Sequence, residues 1–290
     1  VNVAVGAAHG ADRSATGEAG YAEPLAPGIA FLGVADGFGT LPPIRALELA
    51  SVELRRRARA GAFQLRAAGV KAIREYVLAA LASANAHLYA RSGSNDDYIA
   101  GGISTAIGLL VGGLAVVAHV GDVRVFLARD GRLTRLTYDD EVTIESEGVP
   151  SASASPLGAL PPVRSLLWRT LGSQARLEAG VLHLELEPED RLLLITGGVS
   201  RGMGIDELTE ELLSAESAQA AIEAIFVRLR RAEGSGAAVV ALEPMLSLPM
   251  VEAKTPPFFQ RPSFYVPLVI ACALAALVFL GLHHDGRLAP

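Results

Sequence analysis

Between Ser104 and Leu136 the chain reads as apolar runs joined by two-residue turn signals, and no other stretch limits the fold as much. Residues 107–111 and 114–120 flank Gly112-Gly113, and residues 123–129 and 133–136 flank Asp130-Gly131. These dipeptides supply the positive φ that a tight hairpin requires, while valine, isoleucine and leucine fill the runs. Antiparallel sheet is therefore expected here, and the rest of the chain has to cover it. Further strands are expected at 1–5, 29–35, 182–186, 191–196 and 237–242. Pro42-Pro43 opens a helical stretch to about residue 59, with Ile44, Leu47, Ala50 and Leu54 at helical spacing. A second helix over 70–91 carries Ile73, Val77, Leu81, Ala84 and Leu88 on one stripe, and two more are expected at 206–213 and 218–231. Strands, a helix pair, strands and then helices describe an α+β arrangement. Residues 138–165 turn polar and then Ser-, Ala- and Pro-rich, which predicts a mobile flap over the site rather than core.

Bulk properties remove several function classes. With 290 residues, 51% of them hydrophobic and 19% charged, the chain can build a large buried core and is not disordered. A formal charge of −6 with scattered arginines argues against nucleic acid, which asks for a concentrated basic face. The run Arg55-Arg56-Arg57 with Arg59 reads as the solvated side of a helix. Cys272 is the only cysteine, so no intrachain disulfide can form and a reducing compartment is expected. Residues 1–12 hold no apolar leader core. Residues 264–282 carry no charge and, at about 1.5 Å per residue, would span roughly 28 Å as a helix, close to the hydrocarbon thickness of a bilayer. Lys254 and Arg261 precede this run and Arg287 follows it, a bias that places the N-terminal domain in the cytoplasm. The expected organisation is a folded domain over 1–243, a proline-marked linker over 244–262, a single membrane anchor over 263–283 and a short tail over 284–290.

Five ordered blocks carry a resemblance. They are Ala35-Asp36-Gly37-Phe38-Gly39 after an apolar run, Gly102-Ile103-Ser104-Thr105-Ala106 with Val120-Gly121-Asp122-Val123-Arg124, Arg169-Thr170-Leu171-Gly172, the run from Glu189 to Val199, and Ser235 to Val240. Together with Gly10-Ala11-Asp12-Arg13, they resemble the metal-dependent PP2C (PPM-type) family of Ser/Thr protein phosphatases. The resemblance implies an α/β/β/α sandwich of two antiparallel sheets flanked by helix pairs. It also implies a cleft in which two Mg²⁺ or Mn²⁺ ions activate a water for in-line attack on phosphate. Arg13 falls on the phosphate-gripping arginine, Asp36 on the carboxylate that bridges both metals, and Gly37 on the glycine whose carbonyl reaches a metal through water. The family's Asn-Glu-Asp-like triplet falls on Thr16, Gly17 and Glu18, leaving Glu18 as an accessory acid. Phe38 replaces a histidine or methionine, and Asp122 and Arg124 match positions that are mostly structural.

Two positions depart from the family pattern inside well-matched flanks. One metal-binding aspartate falls on Gly197, and a second falls on Ser235. Two divalent ions about 3.5–4 Å apart repel strongly and are held together only by surrounding carboxylates. The expectation is therefore no metal, or one weakly bound Mg²⁺ or Mn²⁺ at Asp36 and Gly37, unless Glu233 or Asp206 compensates. The implied protein is a membrane-tethered pseudophosphatase that binds a phosphoprotein or a regulatory protein. The alternative is a slow protein Ser/Thr phosphatase using two Mn²⁺ or Mg²⁺ at a non-standard site. Other chemistries find no support: His9, His87, His119 and His183 lack metal-ligand spacing, and the glycine clusters lack the Lys-Ser/Thr of a nucleotide loop.

Overall fold

Alternation along one strand sorts the interior into layers. On the strand Ile29–Phe38, the side chains of Phe31 and Ala35 enter one apolar cluster, while those of Ala30, Leu32 and Val34 enter another. A strand presents successive residues to opposite faces, so a run buried at every position must be covered on both sides. In the computed structural model the residues described are 2–8, 17–38, 42–92, 101–145, 163–232 and 234–242. In chain order the elements are β1 (Asn2–Ala8), β2 (Glu18–Ala26), β3 (Ile29–Phe38), α1 (Pro43–Ala67), α2 (Val70–Ser92), β4 (Gly102–Val111), β5 (Leu114–Val120) and β6 (Arg124–Arg129). There follow β7 (Arg132–Arg135), β8 (Glu141–Glu145), β9 (Val163–Leu167), β10 (Gly180–Glu185), β11 (Arg191–Ile195), α3 (Gly197–Gly202), α4 (Ile205–Ser214), α5 (Ala218–Arg231) and β12 (Gly236–Leu242).

Two five-stranded antiparallel sheets result, ordered β1-β12-β11-β6-β7 and β10-β5-β4-β3-β2, with β8 and β9 paired apart from them. Leu32, Val34, Val117, Leu192, Leu194 and Val239 fill the space between the sheets. Outside the second sheet, Leu47 and Leu54 of α1 and Ile73, Val77 and Leu81 of α2 pack on Phe31 and its neighbours. Outside the first, Leu208 and Leu212 of α4 and Ile225 and Leu229 of α5 pack on Leu193 and Val240. This is the four-layer sandwich that the resemblance implied. The hairpins also form as read: Gly112 has φ 62°, and Asp130 and Gly131 have φ 52° and 72°, the paired positive values of a type I′ turn.

Several expectations need correction. β2 falls between the first two expected strands, where no strand was expected; it is an edge strand, mostly half-buried, carrying Glu and Pro among its apolar residues. α1 continues past residue 59 to Ala67, because the Ala-, Arg- and Leu-rich sequence beyond still favours helix, and Gly69 at φ 55° marks the break before α2. Ile44 is exposed rather than on the buried stripe. Within the expected flap, β8 and β9 form a ladder from Glu141↔Leu167 to Glu145↔Val163. β3 runs past the expected end at residue 35 to Phe38, so Asp36 and Gly37 lie within it. The arginine run on α1 is neutralised locally, Arg55 by Glu23 at 2.6 Å and Arg57 by Glu53 at 2.7 Å. The linker expected over 244–262 and the anchor expected over 263–283 lie outside the described residues; among those described, no helix is long and apolar enough to cross a membrane.

Candidate functional site

Period-two alternation carries Asp36 to the inter-sheet face of β3, in line with Ala30, Leu32 and Val34. Its cross-strand partners are Glu18 on β2 and Ser104 on β4. A carboxylate directly opposite another on the same face is unfavourable, and burial adds to the cost. The Asp36 carboxyl is accordingly pushed up to about 7, by burial first and then by the negative charges of Glu18 and Asp122, against a lowering pull from Arg201.

Glu18 is held elsewhere. Its Oε1 accepts from the Thr196 hydroxyl at 2.9 Å and from the Gly198 amide at 3.0 Å, so it ties β2 to the start of α3. The Thr196 hydroxyl in turn accepts from the Ala237 amide at 2.9 Å. This explains Gly198, because a β-carbon there would stand 2.3 Å from both Glu18 Oε1 and the Ser235 carbonyl oxygen. At the neighbouring strand end, the Gly37 amide donates to the Gly17 carbonyl, which closes β3 onto the start of β2.

Asp122 comes from the turn between β5 and β6, where Gly121 takes φ 85°. The Gly121 amide donates to Asp140 Oδ2 at 3.0 Å, and its carbonyl accepts from the Asp140 amide at 2.9 Å. Asp140 is itself paired with Arg169, so both roots of the β8–β9 ladder are fixed to this turn. Asp122 Oδ1 is buried and accepts no hydrogen bond among the described residues. Arg124, at the start of β6, pairs with Asp139 at 2.9 Å.

The cation of the site is one the sequence reading did not single out. α3 begins at Gly197, and Arg201 lies one helical turn later on the same face. Helical side chains lean toward the N-terminus, which brings the Arg201 guanidinium back over Gly197. Its Nη1 lies 3.8 Å from Asp122 Oδ2 and its Nη2 lies 4.0 Å from Asp36 Oδ2. Both distances are charge contacts rather than hydrogen bonds. The side chain is 68% exposed, so one side of the guanidinium faces the carboxylates and the other faces solvent. A β-carbon on Gly197 would stand 2.6 Å from Arg201 Nη1 and 2.7 Å from Asp122 Oδ2.

Of the residues singled out from sequence, the structure brings together Glu18, Asp36, Gly37 and Gly197, and adds Asp122 and Arg201. Ser235 lies half-buried just before β12, its carbonyl against Gly198. Asp206 is exposed in the first turn of α4. Arg13 and Glu233 lie outside the described residues. Among the described residues, this donor set does not fit a pair of divalent ions. Glu18 Oε1 is committed to two hydrogen bonds, a guanidinium faces the remaining carboxylates, and among the described residues no three His, Cys, Asp or Glu side chains are grouped to hold a metal.

No protein-family profile matches the chain. By sequence it is 28% identical over 136 residues to a putative protein phosphatase 2C-type of Streptococcus pyogenes serotype M6, covering 47% of this chain and 54% of that protein. It is 35% identical over 130 residues to the serine/threonine protein phosphatase PstP of Mycobacterium tuberculosis, covering 43% of this chain and 24% of that protein. The matches therefore span about half of one relative and a quarter of the other. Among solved structures, the S. agalactiae serine/threonine phosphatase superposes with a TM-score of 0.65 at 21% identity, over 83% of this chain and 99% of that one. The catalytic domain of PstP with two manganese ions superposes with a TM-score of 0.60 at 24% identity, over 82% and 95%. These neighbours, found by sequence and by shape independently, identify the fold of this chain as that of the bacterial PP2C (PPM-type) Ser/Thr phosphatases.

Proposed function

We propose that this chain is a pseudophosphatase: a PP2C-fold module that binds a phosphoprotein or a regulatory protein and does not turn over phosphoesters. The observation that carries this reading is Gly197. It stands where a metal-binding aspartate was expected, at the start of α3, and a guanidinium rather than a carboxylate faces Asp36 and Asp122 from this helix. Water is not acidified at such a site, because the charge that lowers the pKa of a bound water is that of a divalent metal held by several anionic ligands. Ser235 supports the same reading, since a half-buried hydroxyl is a poor replacement for a carboxylate toward a hard cation.

The alternative, a phosphatase that loads two Mn²⁺ or Mg²⁺ through a rearranged ligand set, draws on the solved PstP domain with its two manganese ions. One assay separates them. The full chain and its Asp36→Ala variant are incubated with a phosphothreonine peptide across a Mn²⁺ titration, and phosphate release is measured. The expected result is no difference between the two proteins at any metal concentration. Release that saturates with metal and disappears in the variant would overturn the non-catalytic reading in favour of the enzyme.

A further inference from the structure

The cation above Asp36 and Asp122 is part of the chain, and its position is correlated with a missing side chain. Gly197 and Arg201 are one helical turn apart on one face of α3, and the guanidinium occupies the space into which a side chain at 197 would grow. An aspartate at 197 would have to displace Arg201 Nη1, which a β-carbon already approaches to 2.6 Å. A carboxylate at 197 and the guanidinium in its present position therefore compete for one space, and a side chain at 197 would move the arginine. On the other side of the guanidinium, the Asp122 Oδ2 and Asp36 Oδ2 atoms lie at 3.8 and 4.0 Å. Asp122 Oδ1 is buried and accepts no hydrogen bond among the described residues. A single positive charge set beside two half-buried carboxylates performs the neutralising part of what a metal ion does, with no ability to polarise water.

We infer that Arg201 is a tethered substitute for a metal ion, and that the guanidinium excludes divalent cations from the Asp36–Asp122 pair. The inference deepens the non-catalytic reading by naming the group that keeps the cleft free of metal. Because Arg201 is two-thirds exposed, replacing it does not threaten the fold. A metal approaching the two carboxylates meets a like charge that lies within about 4 Å of an oxygen of each, and removing that charge lowers the electrostatic barrier to binding.

The test is Mn²⁺ binding to the full chain, read by the loss of the free-ion paramagnetic resonance signal. Four proteins are compared: the wild type, Arg201→Ala, Arg201→Lys and the double variant Gly197→Asp/Arg201→Ala. Arg201→Ala is expected to bind Mn²⁺ at least about tenfold more tightly than the wild type. Arg201→Lys, which keeps the charge, should stay close to the wild type, and the double variant should bind more tightly than Arg201→Ala. A thermal melt of each protein establishes that it is folded, and Arg201→Ala against wild type decides the matter if the double variant is not. Equal affinities for wild type and Arg201→Ala, or a gain in Arg201→Lys as large as in Arg201→Ala, would overturn the inference. Phosphate release by the wild type is a separate readout: if it is absent while Arg201→Ala gains no metal, the tethered-cation idea fails and the non-catalytic reading stands. If it is present and metal-dependent, the non-catalytic reading is what fails.

Discussion

Asp36 is the residue whose chemistry departs furthest from its ordinary behaviour. Its carboxyl titrates at about 7 in the fold against 3.8 as a free side chain, so between these values the folded protein holds a proton that the unfolded chain releases. The sign follows directly. The stability tied to this proton is complete below about pH 4, declines as pH rises, and is gone once pH passes about 7. The gap corresponds to about 4 kcal/mol as an upper bound. Urea midpoints of the wild type should therefore fall between pH 5 and pH 8, while Asp36→Asn, which cannot ionise, should flatten the profile and be the more stable protein at pH 8. A variant that kept the whole wild-type decline would locate the titrating group elsewhere. At this scale the sequence singles out Asp36, because an acid after an apolar run and before Gly-Phe-Gly is conspicuous. It leaves Asp122 as a structural residue and does not single out Arg201. Nothing local in Val-Gly-Asp-Val-Arg says that the aspartate turns into the cleft. Arg201 becomes visible only if Gly197-Gly198-Val199 is read as a helix start rather than a turn, since only then do residues 197 and 201 share a face.

Among elements, the β8–β9 ladder depends most on a few polar contacts. Its roots meet at Asp140, which pairs with Arg169, accepts the Gly121 amide at 3.0 Å through Oδ2, and accepts the Trp168 amide at 3.1 Å through its carbonyl. Asp140 is buried, and a buried carboxylate stripped of its cation is costly. Arg169→Ala should destabilise the protein by about 3 kcal/mol, measured by chemical denaturation, and Asp140→Asn should recover part of that loss in the double variant because no charge is then left unpaired. Additive losses would show that the two side chains act independently. None of this was legible in a stretch that turns polar and Pro-rich, since ladder pairing there is set by contacts far along the chain. The hairpins β4–β5 and β6–β7 were legible for the opposite reason, their turns and their alternation being within ten residues of each other. β2 was missed because an edge strand needs only one buried face and tolerates the Glu and Pro it carries.

For the molecule as a whole, three apolar layers are stacked: helices on sheet, sheet on sheet, and sheet on helices. The strand runs and helix stripes made the α+β order legible, while the sandwich itself was implied by the family resemblance. Polar groups bridge the two sheets at the cleft end. There Glu18, from the edge of one sheet, accepts the Gly198 amide at the point where the other sheet gives way to α3. A six-residue helix has almost no tendency to hold itself together, and its first amides have no partner within it. The Gly198 amide proton is thus shielded by a strand from the opposite half of the protein. In hydrogen exchange it should be as slow as the amides of β11, and in Glu18→Ala it should exchange as fast as those at the far end of α3. The clock that this one proton keeps is the release of one sheet's edge strand from the helix that follows the other.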